Sequence, residues 1–192
     1  MGREFEQKYA ATEKILSDLA AKYPGGRKIS MHTTYYDTPD STLSQRKMTL
    51  RIREENGASV CTLKTPLPDG SRSEWECPAT DIAAGIRSLL DMGAPSQLKT
   101  LTARGLNVVC GARFTRLAID VATADGMAEL ALDNGVLMGG GKEIPLCEVE
   151  VELKSGSESA AVALAQQLAA AYGLKPEPKS KFRRAMDLVT GE

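Results

Sequence analysis

Charge alternates with apolar residues along several short segments of this chain, and the sign of the charge is sorted by segment. Successive side chains of a strand project to opposite faces, so residues i, i+2 and i+4 share one side. In EFEQK, Glu4, Glu6 and Lys8 share a face. In LRIRE, Leu50 and Ile52 oppose Arg51 and Arg53; in CEVEVEL, Cys147, Val149, Val151 and Leu153 oppose Glu148, Glu150 and Glu152. Leu63 opposes Thr62 and Lys64, and Trp75 and Cys77 oppose Arg72, Glu74 and Glu76. A half-solvated antiparallel sheet accounts for each segment taken alone. It does not account for polar faces that are nearly all acid or nearly all base, because like charges 4 Å apart repel by about 4 kcal/mol at an effective dielectric of about 20. A binding site does account for them, if metal cations bridge the carboxylates and a polyanion bridges the arginines and lysines.

The spacing predicts strands at 3–9, 30–37, 48–55, 59–65, 71–78, 108–122, 128–133 and 144–153, with turn chemistry at TPD, ENG and PLPDG. DNG after Leu132 reads as a tight turn. Helical spacing covers 12–23, stopped by Pro24, Gly25 and Gly26; Thr80 caps a helix through Met92, and a short helix is expected at 96–103. Ser157 opens an Ala-rich helix that runs to Tyr172 and stops at Gly173, and a last helical segment is expected at 180–188. No repeat, low-complexity stretch or charge block marks a boundary, so residues 1–192 are read as one domain. The expectation is an α+β fold: a closed, roughly eight-stranded antiparallel β-barrel with flanking helices.

Composition removes several functions. Lys and Arg number 24 against 25 Asp and Glu, a net charge of −1, so no bulk field favours nucleic acid or an anionic membrane. Aromatic residues are only 5%, too few for base-stacking platforms. No apolar run approaches the roughly 20 residues of a membrane span, and MGREFEQKYA lacks the apolar core of a signal peptide, so a cytoplasmic protein is expected. Cys61, Cys77, Cys110 and Cys147 form no CxxC pair and read as buried free thiols.

Glu4-x-Glu6-x-Lys8 resembles the ExExK signature of the CYTH superfamily, the triphosphate tunnel metalloenzymes. Further matches follow in that family's order: YYDTPD at 35–40, LRIR at 50–53, TLK at 62–64, RSEWE at 72–76 in its REWE-like part, Arg113, ALD at 131–133, EVEVEL at 148–153 and KSKFRRA at 179–185. The resemblance spans residues 4–185 and implies a closed antiparallel barrel whose charged interior holds a triphosphate and divalent metal.

Carried over by position, the resemblance makes Glu4, Glu6, Glu148 and Glu150 metal ligands, with Glu152 and Asp133 in support. Lys8, Arg51, Arg53, Lys64, Arg72, Arg113, Lys181 and Arg184 form the phosphate-binding set, and Glu4, Glu6, Lys8, Glu148 and Glu150 the catalytic one. Thr115 stands where several relatives carry a second basic residue, and on a regular strand Arg116 is expected to point outward. Of Arg183 and Arg184, the SKxxR spacing selects Arg184. All-carboxylate sites suit hard cations, so Mg²⁺ or Mn²⁺ is implied, with no necessary part for His32. The implied activity is metal-dependent hydrolysis of inorganic triphosphate or short polyphosphate by a monomer or homodimer. Hydrolysis of thiamine triphosphate or another organic triphosphate, adenylate cyclisation of the class IV type on a nucleoside triphosphate, and non-enzymatic polyphosphate binding are the alternatives.

Overall fold

The structure, a computed structural model, describes residues 2–3, 5–68 and 72–191. Glu4, Ser71 at the start of one expected strand, and the end of the PLPDG link lie outside the described residues. Ten strands occur among those described: β1 (Gly2–Arg3), β2 (Glu6–Ala10), β3 (Arg27–Asp37), β4 (Thr49–Glu55), β5 (Ala58–Pro66), β6 (Arg72–Pro78), β7 (Asn107–Ala122), β8 (Met127–Gly139), β9 (Lys142–Ser155) and β10 (Lys175–Pro176). The helices are α1 (Glu13–Lys22), α2 (Thr42–Gln45), α3 (Ile82–Asp91), α4 (Gln97–Leu101), α5 (Glu158–Tyr172) and α6 (Lys181–Thr190). Among the described residues, no helix is long and apolar enough to cross a membrane.

The strands form one antiparallel sheet in the order β1-β6-β5-β4-β3-β7-β8-β9-β2-β10. The expectation of a closed, eight-stranded barrel is corrected on both counts: among the described residues there are ten strands, and their pairing order has two ends, β1 and β10. The count rises because the N-terminal segment pairs in two pieces and because Lys175–Pro176 adds to the edge of β2. Gly2 of β1 pairs with Glu74 of β6, while Glu6 of β2 pairs with Glu152 of β9, so one short stretch of chain joins the two flanks covalently.

The DNG turn is also corrected. Asp133, Asn134 and Gly135 lie in the middle of β8, paired with Glu148, Cys147 and Leu146. The hairpin turns at Gly140 and Gly141, whose φ values of 57° and 74° favour residues without a Cβ. Asp81, not Thr80, caps α3, its side chain accepting from Ala84 N at 2.8 Å. Thr12, Ser157 and Ser180 cap α1, α5 and α6 in the same way.

The apolar strand faces are covered by helices. Leu16 and Leu19 of α1, and Ala165 and Leu168 of α5, pack on Leu130, Leu132, Val149 and Val151. Leu89 and Leu98, from α3 and α4, pack on Leu50, Cys61, Leu63, Trp75 and Cys77. Each fully buried leucine contributes roughly 1.5–3 kcal/mol relative to exposure. Helix α6 belongs to the other side of the sheet, where Phe182 and Ala185 pack with Met31, Tyr35, Phe114 and Leu137. The polar faces of the strands and one end of α6 thereby surround a common space.

Candidate functional site

That space is a cavity of about 1230 Å³ walled by one face of β2–β9 with α6. Among the described residues its lining carries twelve Lys and Arg against seven Glu, an excess of positive charge suited to an anion. Of the residues expected from the sequence, Glu6, Lys8, Arg51, Arg53, Lys64, Arg72, Glu150, Glu152 and Lys181 line it. Glu4 lies outside the described residues.

Asp133, Glu148 and Arg184 stand behind the lining and connect to it through Glu150 and Lys181. Register explains the grouping: Asp133 of β8 is opposite Glu148 of β9, and Glu150 is opposite both Ala131 of β8 and Lys8 of β2. All three acids are buried, and one oxygen from each lies within 4.8 Å of the others. Into this cluster α6 projects Lys181, whose Nζ is 2.8 Å from Asp133, 2.5 Å from Glu148 and 2.6 Å from Glu150. Arg184, one turn further along α6, pairs with Glu148 and, at 3.6 Å, with Glu177.

Arg113 is the correction. It is 62% exposed, pairs with Glu143 at 3.5 Å and does not line the cavity. Strand β7 is regular through this stretch, pairing Arg113 with Val136 and Arg116 with Asp133 without a register shift. Parity therefore turns Arg116 inward with Phe114, against the expectation that it points out. Its Nε and Nη2 donate to Asp133 at 2.7 and 2.8 Å, and Nη2 also reaches Glu150 at 2.5 Å.

The charges inside are strongly perturbed. Burial raises the Glu148 carboxyl above its ordinary range; Lys181 opposes the rise and the charge of Glu150 adds to it. Burial also opposes ionisation of Glu150, but Lys181 and Arg116 overcome it and hold that carboxyl well below the usual range. The Lys181 ammonium is held charged despite burial by Glu150, Asp133 and Glu148.

The facing wall is basic. Arg51 and Arg53 enter from β4 and Lys64 from β5, with Lys64 3.3 Å from Glu74 and Arg53 3.1 Å from Glu55. Arg51 lies at 3.8 and 3.9 Å from Glu76 and Glu74, at the limit of pairing. Among the described residues, the buried Nε atoms of Arg51 and Arg53 have no hydrogen-bond partner. Burial and the neighbouring Arg51 lower the pKa of Arg53, the signature of cations short of compensating charge. Arg forks match phosphoryl oxygens bidentately, and such oxygens would satisfy these orphaned donors.

The YYDTPD segment is a scaffold for the rim. Asp37 is buried and accepts from Thr38 N at 2.7 Å, Leu43 N at 2.9 Å, Ser44 N at 3.0 Å and the Ser44 hydroxyl. This ties down the turn that presents Ser41, Ser44 and Lys47 to the cavity. Sequence reasoning left Arg116, Glu129, Glu74 and Glu76 out of the site. Glu129 shares the face of Asp133 by the period of two, and Glu74 and Glu76 share that of Arg72, so the signal was present.

The donor set fits a hard divalent cation: three buried carboxylates with convergent oxygens and no nitrogen or sulfur ligand among them. The Glu148 Oε2 atom also lacks an aligned hydrogen-bond donor, although Lys181 is close by.

A curved antiparallel sheet with helices on its apolar face and opposed acidic and basic walls on the other defines a class of charged-cavity proteins. The chain belongs to the CYTH domain family, whose family model matches residues 2–186. It is 34% identical over 170 residues to a Haemophilus influenzae protein named inorganic triphosphatase, covering 82% of this chain and 47% of that protein. The chain thus spans about half the length of that curated relative. Among solved structures, a Hippeastrum protein described as an adenylyl cyclase with a dominant triphosphatase activity aligns with TM-score 0.68 at 21% identity, over 98% of this chain and 96% of that one. A Pyrococcus horikoshii protein aligns with TM-score 0.66 at 22% identity, over 96% and 98% of the two chains.

Proposed function

We propose that this protein hydrolyses a phosphoanhydride bond of inorganic triphosphate, or of short polyphosphate, in a reaction that depends on Mg²⁺ or Mn²⁺. One observation carries the reading: a buried three-carboxylate cluster and two arginines with unpaired Nε donors meet at one cavity. The relative named inorganic triphosphatase supports the same substrate class. The sheet, with its flanks joined through β1 and β2, acts as the tunnel of the family within a single domain spanning residues 1–192.

Asp133, Glu148 and Glu150 hold the cation, with Glu6 and Glu152 on adjoining strand positions and Glu4 completing the set. A divalent cation supplies charge neutralisation at phosphoryl oxygens and acidification of the attacking water. Arg51, Arg53, Lys64, Arg72, Lys8 and Lys181 bind and orient the phosphate chain and offset the charge that shifts during transfer, while Arg184, behind the lining, compensates Glu148. Arg113 has no part, and Arg116 fixes Asp133 and Glu150 in place. Among the described residues the lining is dominated by charge, and of its aromatic rings Tyr35 and Phe182 pack on each other while Phe114 lies under Lys181, which favours hydrolysis over cyclisation of a nucleotide. The same reading makes the protein a cytoplasmic monomer or homodimer with no nucleic-acid or membrane partner.

The test is phosphate release from triphosphate, pyrophosphate, ATP and thiamine triphosphate, with Mg²⁺ or Mn²⁺ and with EDTA. Triphosphate is the expected best substrate, with all turnover lost in EDTA. Metal-independent turnover, or a clear preference for thiamine triphosphate, overturns the assignment.

A further inference from the structure

The Lys181 Nζ atom stands 2.5–2.8 Å from one oxygen of each of Asp133, Glu148 and Glu150. These are the three carboxylates whose oxygens converge within 4.8 Å. A divalent cation held by the same oxygens, at about 2.0–2.1 Å for Mg²⁺, would need the volume that the ammonium fills, and two cations in that volume would repel.

The three cations of the cluster differ in how they are held. Arg116 is locked by two hydrogen bonds to Asp133 and one to Glu150. Arg184 is shared between Glu148 and Glu177. Lys181 is a point charge on a flexible four-carbon stem; of the three cations it alone reaches all three acids, and like Arg116 it lines the cavity. Ser180 fixes its backbone at the N-terminus of α6, so the side chain can swing without moving the helix.

We propose that Lys181 is a tethered counter-cation that competes with divalent metal for Asp133, Glu148 and Glu150, and so couples metal binding to anion binding. Metal enters the cluster as the ammonium leaves it for the cavity, and a phosphate chain there receives the displaced charge. The coupling is reciprocal: each ligand raises the affinity for the other. The coupling to phosphate rests on the function proposed above; the competition with metal does not.

The first experiment is calorimetric titration of Mn²⁺, without any anion, into wild-type protein and Lys181→Gln. Removing the competitor is expected to tighten Mn²⁺ binding by about tenfold or more. Equal or weaker binding by the variant overturns the proposal. Since Lys181→Gln leaves buried acids undercompensated and can fail to fold, the wild-type protein gives an independent reading. Acylation of Lys181, followed by mass spectrometry, is expected to rise severalfold at saturating Mg²⁺ relative to NaCl of equal ionic strength; no rise overturns the proposal. If competition is seen but no substrate releases phosphate, the functional assignment fails and the competition stands. If triphosphate is hydrolysed but neither reading shows competition, only the role of Lys181 fails.

Discussion

Arg116 and Asp133 are directly opposed on β7 and β8 and are joined by two hydrogen bonds of 2.7 and 2.8 Å. Asp133 is fully buried, and Arg116 spans from it to Glu150, so one guanidinium fixes the spacing of two acids that would otherwise repel. This pair, rather than the exposed Arg113, makes the acidic cluster rigid before any ligand arrives.

Replacing Arg116 by Gln is expected to destabilise the fold by about 3 kcal/mol, because a buried carboxylate loses its main partner. Arg113→Ala, at an exposed ion pair, is expected to change stability by no more than about 0.5 kcal/mol. Urea unfolding of the two variants checks this; equal losses would show that the inward position of Arg116 has no energetic weight.

Glu150→Gln and Glu6→Gln keep shape and remove a charge that faces the cavity. Triphosphate hydrolysis is expected to fall by about two orders of magnitude or more in each, with circular dichroism unchanged. With ATP as substrate, the expected products are ADP and phosphate. Chromatography that finds cyclic AMP as the main product would replace the hydrolase with a cyclase on the same fold.

Burial pushes the thiols of Cys61 and Cys110 up to about 12. At pH 8 the thiolate fraction of each is then about one in ten thousand, so native protein is expected to resist alkylation at both. Cys147 is only half-buried and is expected to react first. Mass mapping after brief iodoacetamide treatment decides the order.

The hydrogen bond from Lys179 at 2.7 Å, with the Arg183 contact at 2.8 Å, lowers the Asp187 carboxyl below its ordinary range. A folded-state pKa below the unfolded one adds stability above the unfolded value of about 3.9, and that stability is lost as pH falls through the folded value. Acid is therefore expected to loosen α6. Asp187→Asn should flatten the stability profile below about pH 4, as read by thermal melts across pH; an unchanged acid limb would exclude Asp187 as a contributor.

Much of this was legible from the period of two. The acidic face of β9 and the basic pair on β4 were readable because each strand carries an apolar face that a helix must cover, which fixes the polar face by elimination. Parity within a strand does not reveal which parity faces in, and β7 shows the cost: Arg113 and Arg116 differ by an odd number, so choosing one rejected the other. The Asn-Gly pair at 134–135 carries a turn signal that tertiary pairing overrides, since Asp133 is buried in β8 and three glycines follow at 139–141. The two-piece pairing of the N-terminal strand has no sequence signature, because it depends on how far the sheet curls.

That N-terminal segment has a kinetic meaning. Glu6 meets Glu152, and Gly2 meets Glu74, so residues at the very start of the chain pair with strands from its middle and its end. Contacts this remote in sequence carry the largest loop-closure cost, so they are expected to form after the β7–β8–β9 meander has given them a template. The basic strands β4–β6 and the acidic strands β8 and β9 are already hinged together through the β3–β7 pairing, so the N-terminal strand fastens the other side of the site, like a clasp on a hinged box. A chain without that fastening would carry both walls and hold neither against the other.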